Sequence, residues 1–357
     1  MSRFVLDCAV SRPVSGQVAA WLTSAVQTAW ASPSAGYHEA KQSSLMLDQS
    51  VATMAGLTGA RNVRFCPDIP VAVGEVVAQK APGATTVATS VVDSLQVQQA
   101  VARGAAAAGL PHRLLAVDAA GRLDREALDA LPTPALLVTN LGNQEIGTVQ
   151  IDLSEWSRST GSAVVLDAST AFGWIDLPDY WSHLLLDARS WGGVPGAVAV
   201  CASQDSTRRP TENVPAAAVA AVTAEQWLAQ APGARTTARR QLGALREVIA
   251  NGLDGVEMRG GTADDLPHVL SVSVLYVDAE ALQSRLDALG YAVGSGSACA
   301  SREGQPSHVL AAVGGLTSGN LRVGLPPDLP DDAVTGFGEA LVDCVRAVRE
   351  QMGTQDL

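Results

Sequence analysis

Residues 135–140 read Ala-Leu-Leu-Val-Thr-Asn and residues 163–167 read Ala-Val-Val-Leu-Asp. Each is a short, unbroken apolar run closed by a polar residue. A strand with one wet face alternates apolar and polar side chains, so an unbroken run is the pattern of a strand covered on both faces. The pattern repeats outward from this pair: VRFC (63–66), TTVATS (85–90) and RLLAVD (113–118) come before it, HLLLD (183–187) and AVAVC (197–201) after it. Helix-length segments lie between several of them, such as SLQVQQAVARGAAAAG (94–109) and DREALDAL (124–131). Strands alternating with helices predict an α/β fold with a mainly parallel seven-stranded sheet. Amphipathic spacing predicts helices over 16–30 and 37–57. After about residue 210 the character changes. A helical stretch over 215–253 leads to an apolar run at 268–278, a helix in AEALQSRLDALG, a short strand in YAVGSGSA and a last helix in 331–352. We therefore expect a large α/β domain over residues 15–240, and a small α+β domain built from residues 1–14 and 241–357.

The 357 residues are 47% hydrophobic and 17% charged, which excludes a disordered chain. Lys+Arg number 24 against 36 Asp+Glu, for a net charge of −12. Nucleic acids and anionic membrane surfaces need clustered cations, so neither is expected as a partner. No apolar run reaches the roughly 18 residues of a spanning helix. The opening MSRFVLDCAVSRPV is too short and interrupted for a signal peptide. Five scattered cysteines, with no CxxC pair, argue against a zinc site and a secreted disulfide framework. The expectation is a reduced, cytoplasmic protein without a metal. Only two of the basic residues are lysines, Lys41 and Lys80. Chemistry that needs a lysine amine has to use one of them.

The most specific segment is Gly294-Ser295-Gly296-Ser297-Ala298-Cys299-Ala300-Ser301, followed by Pro306-Ser307-His308-Val309-Leu310. Small neighbours leave a sulfur accessible, as a sulfur-transfer nucleophile requires. The alternative is a structural cysteine in a Gly/Ser turn.

SGSAC followed by PSHVL resembles the signature of the group I cysteine desulfurases, pyridoxal-phosphate (PLP) enzymes of the class V aminotransferase group. Other segments resemble family motifs in family order: Phe4-Val5-Leu6-Asp7, Ser32-Pro33-Ser34 with His38, Asn143-Gln144-Glu145-Ile146-Gly147-Thr148, Leu166-Asp167-Ala168, Thr211-Glu212-Asn213-Val214-Pro215 and Leu321-Arg322-Val323. The resemblance implies the PLP-dependent transferase fold (aspartate aminotransferase-like, fold type I). It implies that Asp167 pairs with the cofactor's ring nitrogen and that Asn143 contacts its ring oxygen. Arg322 would grip the substrate carboxylate, and Thr211 would reach the cofactor phosphate across a dimer interface. Cys299 would carry sulfur as a persulfide, with His308 beside it in the catalytic set. Taken alone, Asp167 could equally cap a helix, Arg322 could be an interface ion pair, and Asn143 a turn residue.

The pattern breaks around the cofactor. The family's Schiff-base lysine segment matches Asp187-Ala188-Arg189-Ser190-Trp191-Gly192-Gly193, which puts Ser190, or Arg189 in a shifted register, where the lysine belongs. Neither forms an imine. The family's phosphate turn matches Phe65-Cys66-Pro67-Asp68-Ile69-Pro70-Val71, where two prolines remove amide donors and Asp68 adds negative charge. The ring-stacking histidine falls near Asp93-Ser94, and the glutamine three residues after Asp167 is Thr170. Lys41 is expected in an N-terminal helix and Lys80 in a loop. The leading expectation is a desulfurase-like protein of sulfur transfer with a degenerate PLP site. It would be inactive alone, and act as a sulfur relay or as a homodimer or heterodimer with an active desulfurase paralogue, passing sulfur to an acceptor protein. Two alternatives stay open: an active desulfurase holding PLP or its amine form non-covalently, and a non-catalytic scaffold with a new ligand in the vacated pocket.

Overall fold

The structure, a computed structural model, describes residues 3–204, 213–295 and 306–353. Along the chain run β1 (Phe4–Val5), α1 (Gly16–Thr28), α2 (His38–Thr58), β2 (Asn62–Cys66), α3 (Ile69–Lys80), β3 (Thr86–Ser90), α4 (Leu95–Ala107), β4 (His112–Leu115), α5 (Arg125–Asp129), β5 (Ala135–Asn140), α6 (Ser154–Thr160), β6 (Ala163–Asp167), β7 (His183–Asp187) and β8 (Val198–Ala202). Then come α7 (Val214–Gly252), β9 (Val256–Gly260), β10 (Val269–Val274), α8 (Ala279–Ala288), β11 (Tyr291–Ala292), α9 (His308–Ala312), β12 (Asn320–Gly324) and α10 (Asp331–Met352).

Strands β2 to β8 form one seven-stranded sheet in the order β2-β8-β7-β6-β5-β3-β4. Strand β8 runs antiparallel to both its neighbours, and the other pairs are parallel. The unbroken apolar runs have the predicted cause. Strand side chains alternate faces, and here each face has its own cover. Leu136 and Val138 of β5, Val165 of β6 and Leu185 of β7 enter a core with α3 and α4. Leu137, Val164, Leu166, Leu184 and Leu186 enter the opposite core with α1, α2 and α7. Edge strand β4, by contrast, exposes Arg113 and Leu114.

A second sheet has the order β12-β10-β9 and is antiparallel throughout. Its apolar face packs with Leu6, the second half of α7, α8 and α10 in a separate core that includes Leu245, Ile249, Leu270, Val323, Phe337 and Leu341. Helix α7 runs unbroken through residue 240, so one helix serves both cores. Strand β1 pairs in parallel with β11. Three elements depart from the sequence reading. The segment after Asp68 is a full helix, α3, and Lys80 is its last residue rather than part of a loop. Strands β9 and β12 carry Glu257, Arg259, Asn320 and Arg322, and these polar residues hide them from an apolar-run criterion. Among the described residues, no helix is long and apolar enough to cross a membrane.

Candidate functional site

In open parallel sheets the carboxyl ends of the strands are the place where ligands bind. Here β3, β5, β6 and β7 deliver Asp93, Asn143, Asp167, and Asp187 with Arg189, to that edge within a few residues of their ends. A cleft of about 740 Å³ opens there, lined by Asp68, Asp167, Thr170, Asp187, Arg189 and Arg322 among others. A narrow extension of about 50 Å³ shares Asp167 and Thr170 and adds Asp93, Asn143 and His308.

Asp167 ends β6. Its Oδ1 accepts from the Ser169 amide at 3.1 Å and the Ser169 hydroxyl at 2.6 Å. The Ser169 hydroxyl oxygen in turn accepts from the Asp187 amide at 2.9 Å. Loss of hydration pushes the Asp167 carboxyl above its ordinary value, and the charge of Asp187 adds to the rise. The Asp187 carboxylate is buried and takes the Arg189 side chain as a fork: Nε lies 3.1 Å from Oδ1 and 3.0 Å from Oδ2, and Nη2 2.5 Å from Oδ2. Ser190 is buried outside the cleft lining, where its hydroxyl donates to the Asp187 carbonyl at 2.9 Å. Asp68 caps α3 by accepting from the Val71 amide at 2.8 Å, and Pro70 lies in that first turn.

Asn143 lines the narrow extension, but its amide is committed to its own loop and to the segment after β3. Its Nδ2 donates to the Val92 carbonyl at 2.9 Å, and its Oδ1 accepts from the Glu145 and Ile146 amides at 2.9 and 3.1 Å. His308 begins α9 and donates from Nε2 to the Asp93 carbonyl at 3.0 Å, which joins the small-domain segment to the sheet edge. Arg322 is buried in β12 and binds Asp7 Oδ1 through Nε at 3.1 Å and Nη2 at 2.8 Å. Gly294 lets the backbone lie against this pair, since a Cβ there would collide with the Asp7 carboxylate. Cys299 and Thr211 lie outside the described residues.

Sequence reading placed two acids, Asp93 and Glu145, in family segments but gave neither a role. Asp93 is fully buried; its Oδ2 accepts from the Ser90 amide at 2.8 Å, and its Oδ1 from the Asn140 amide at 2.7 Å and side chain at 2.6 Å. Burial pushes its carboxyl up to about 7 against the pull of those hydrogen bonds, and the charge of Asp167 assists. Glu145 is buried and accepts from the Ser307 hydroxyl; burial raises its carboxyl, while Ser307 and Arg322 pull it down. The available signal was its place in the NQEIGT segment beside the PSHVL segment that it meets.

A PLP group needs an amine for its aldehyde and donors for its phosphate. Neither Lys41 in α2 nor Lys80 in α3 lines the cleft or its extension. Arg189 and Arg322 already hold carboxylates, and at the start of α3 the Asp68 carboxylate takes the amide a phosphate would use. Among the described residues, none that lines the cleft supplies the amine of a covalently held PLP. Among the described residues, no His, Cys, Asp or Glu cluster could hold a metal.

No family model matches the chain. A cysteine desulfurase of Bradyrhizobium diazoefficiens is 32% identical over 232 residues, and that match spans 58% of each protein. A putative cysteine desulfurase of Bacillus subtilis strain 168 is 27% identical over 353 residues, covering 90% of this chain and 92% of its own. A cysteine desulfurase of Anaeromyxobacter sp. strain Fw109-5 is 32% identical over 273 residues, covering 68% of this chain and 66% of its own. Among solved structures, a NifS-like protein superposes with a TM-score of 0.85 at 18% identity, over 97% of this chain and all of the other. The apo cysteine desulfurase of Thermococcus onnurineus NA1 superposes at 0.83 with 14% identity, over 97% of this chain and 95% of its own. At such identities the structures speak for the fold, and the sequence matches carry the kinship. On its sequence and on its seven-stranded, mainly parallel sheet, the chain belongs to the cysteine desulfurase family, built on the fold type I scaffold of PLP-dependent transferases.

Proposed function

We propose that this chain works in sulfur transfer without running PLP chemistry itself, as a sulfur relay or partner subunit whose functional group is Cys299. The observation that carries the reading is the Arg189–Asp187 fork, with Ser190 turned into the protein beside it. A position expected to present a free amine to the cleft presents a neutralised guanidinium. The retained SGSAC and PSHVL segments support the sulfur-handling half of the reading.

Relay needs no cofactor. The Cys299 thiolate attacks the outer sulfur of a persulfide carried by a donor protein. The donor's S–S bond breaks, a new S–S bond forms on Cys299, and the donor cysteine leaves as a thiolate. No net oxidation occurs, and the reverse exchange unloads the sulfur to an acceptor thiol. The paralogue or acceptor that exchanges with Cys299 belongs to the same reading, as does assembly as a homodimer or heterodimer in the cytoplasm. Assigning Asp167, Asn143, Thr170 and Arg189 as remnants of a cofactor site, and Arg322 as a former carboxylate holder, is likewise part of it.

The test is direct. The purified chain mixed with PLP should develop no visible cofactor band, and borohydride reduction should leave its intact mass unchanged. It should form no alanine from cysteine. Incubated with glutathione persulfide it should gain the mass of one sulfur, and Cys299→Ser should abolish the gain. A reducible adduct on either lysine, or cysteine-dependent alanine formation by the isolated chain, would overturn the reading.

A further inference from the structure

A second cavity, of about 670 Å³, lies behind the wall that the segment 8–14 forms against the main cleft. Val10 of that segment faces the cleft and Arg12 faces the second cavity. The Arg12 amide ties the segment down by donating to the Arg189 carbonyl at 2.9 Å. Trp191, Trp227, Ser15, Gln226 and Asp328 also line this space.

Arg12 is 8% exposed. Its guanidinium carbon lies 3.8 Å from the centre of the Trp227 ring and 5.1 Å from that of Trp174, so aromatic faces hold the cation. Trp174 stacks in turn on His268, with ring centres 4.0 Å apart. His268 is kept neutral by burial and by the Arg12 charge, so it offers no counter-charge. Nε and Nη2 of Arg12 have no hydrogen-bond partner and are covered by the protein, which leaves Nη1 as the nitrogen that meets the cavity; no carboxylate pairs with Arg12 among the described residues. Burial lowers its pKa only to about 10, so it stays charged at neutral pH. The carboxylate whose charge acts on it is Asp328, an exposed residue of the cavity lining. The cavity also receives the start of α1, at Ser15 and Val18, where the Val18 amide is already committed to the Ser15 hydroxyl at 3.2 Å. A buried guanidinium with no counter-charge is costly unless something completes it.

We propose that this cavity is a second ligand site, distinct from the strand-end cleft, which binds the oxyanion group of a small molecule, carboxylate or phosphate, on Arg12. Aromatic and proline walls, including Trp191, Trp227 and Pro327, suit an apolar body attached to that group.

Tryptophan emission reads the site, because Trp191 and Trp227 line it. The full chain is titrated with inorganic phosphate and, separately, with acetate, against chloride at matched ionic strength. A saturable change with either anion is expected below about 10 mM, the scale of a weak specific site, and the tighter of the two identifies the group. Arg12→Gln should weaken binding at least tenfold, and Arg12→Lys less. Asp328→Asn should tighten it several-fold by removing a repelling charge; this variant decides the matter if Arg12→Gln does not fold. No saturation above the chloride control, the same affinity in Arg12→Gln, or unchanged affinity in Asp328→Asn would overturn the proposal.

Discussion

Arg189 folds back onto Asp187, two residues earlier in the chain, so that Nη2 lies 2.5 Å from Oδ2 and Nε 3.0 Å from the same oxygen. The Asp187 side chain is 7% exposed and the Arg189 side chain 40%. The arginine therefore shields a carboxylate that has little water of its own. In doing so it closes the segment where the family resemblance expects an amine.

This relation sets the first prediction. Arg189→Ala leaves a buried carboxylate with one less partner. Breaking a fully buried pair costs about 3–5 kcal/mol, and the exposure of Arg189 reduces this to about 1–2 kcal/mol. Urea unfolding at pH 7 should show that loss, and Arg189→Lys, which keeps a cation beside Asp187, should show less of it. No measurable loss in Arg189→Ala would mean that the ion pair adds nothing to stability.

Asp93 gives a pH dependence of defined sign. Its carboxyl is raised by burial to about 7, against about 4 in an unfolded chain. Between those values the native state holds a proton that the unfolded state has released, so this contribution to stability falls as pH rises from about 4 to 7 and then levels. Asp167 and Glu145 are shifted in the same direction. Unfolding free energy measured from pH 4.5 to 8 should decline over this window, and Asp93→Asn should flatten the decline. An unaltered slope in the variant would place the titration elsewhere.

The sheet was legible because its strands are buried on both faces, and a short unbroken apolar run such as 135–140, closed by a polar residue, suits few settings besides a covered strand. Strands β9 and β12 were not, because Arg259 and Arg322 interrupt the apolar signal to serve ion pairs with Glu257 and Asp7. At the site, Asp167 and Arg322 were found through family motifs, and the cleft does bring them together. Asp93 was met only as the place of a missing histidine, since its buried setting depends on Asn140, 47 residues away in the chain. The same limit hid Arg12, whose setting needs Trp174, Trp227 and His268 folded around it.

Thiol reactivity separates the cysteines. Cys8, Cys66, Cys201 and Cys344 are buried. Burial pushes the Cys8 and Cys201 thiols up to about 12 and Cys66 to about 11, and raises Cys344. Thiolate is the reactive form, so these four should resist iodoacetamide in the native protein at pH 7.5. Peptide mapping should find the label on Cys299 alone, and Cys299→Ser should leave the native chain essentially unlabelled. Rapid labelling of any of the other four would contradict their burial.

The hydroxyl of Ser307 does two jobs at the junction of α9 with the sheet edge. It donates to the buried Glu145 carboxylate and accepts from the Leu310 amide at 3.1 Å as the helix cap. Ser307→Ala removes the cap, worth about 1 kcal/mol, and leaves Glu145 short of a donor, worth about 1–3 kcal/mol. The expected loss is about 2–4 kcal/mol at pH 8. It should shrink towards pH 5, because Glu145 without its donor shifts further up and escapes part of the cost by binding a proton. Ser307→Thr keeps both bonds and should cost under about 1 kcal/mol. If Ser307→Ala lost the same amount at both pH values, the cap alone would account for the residue, and Glu145 would need another partner in the folded chain.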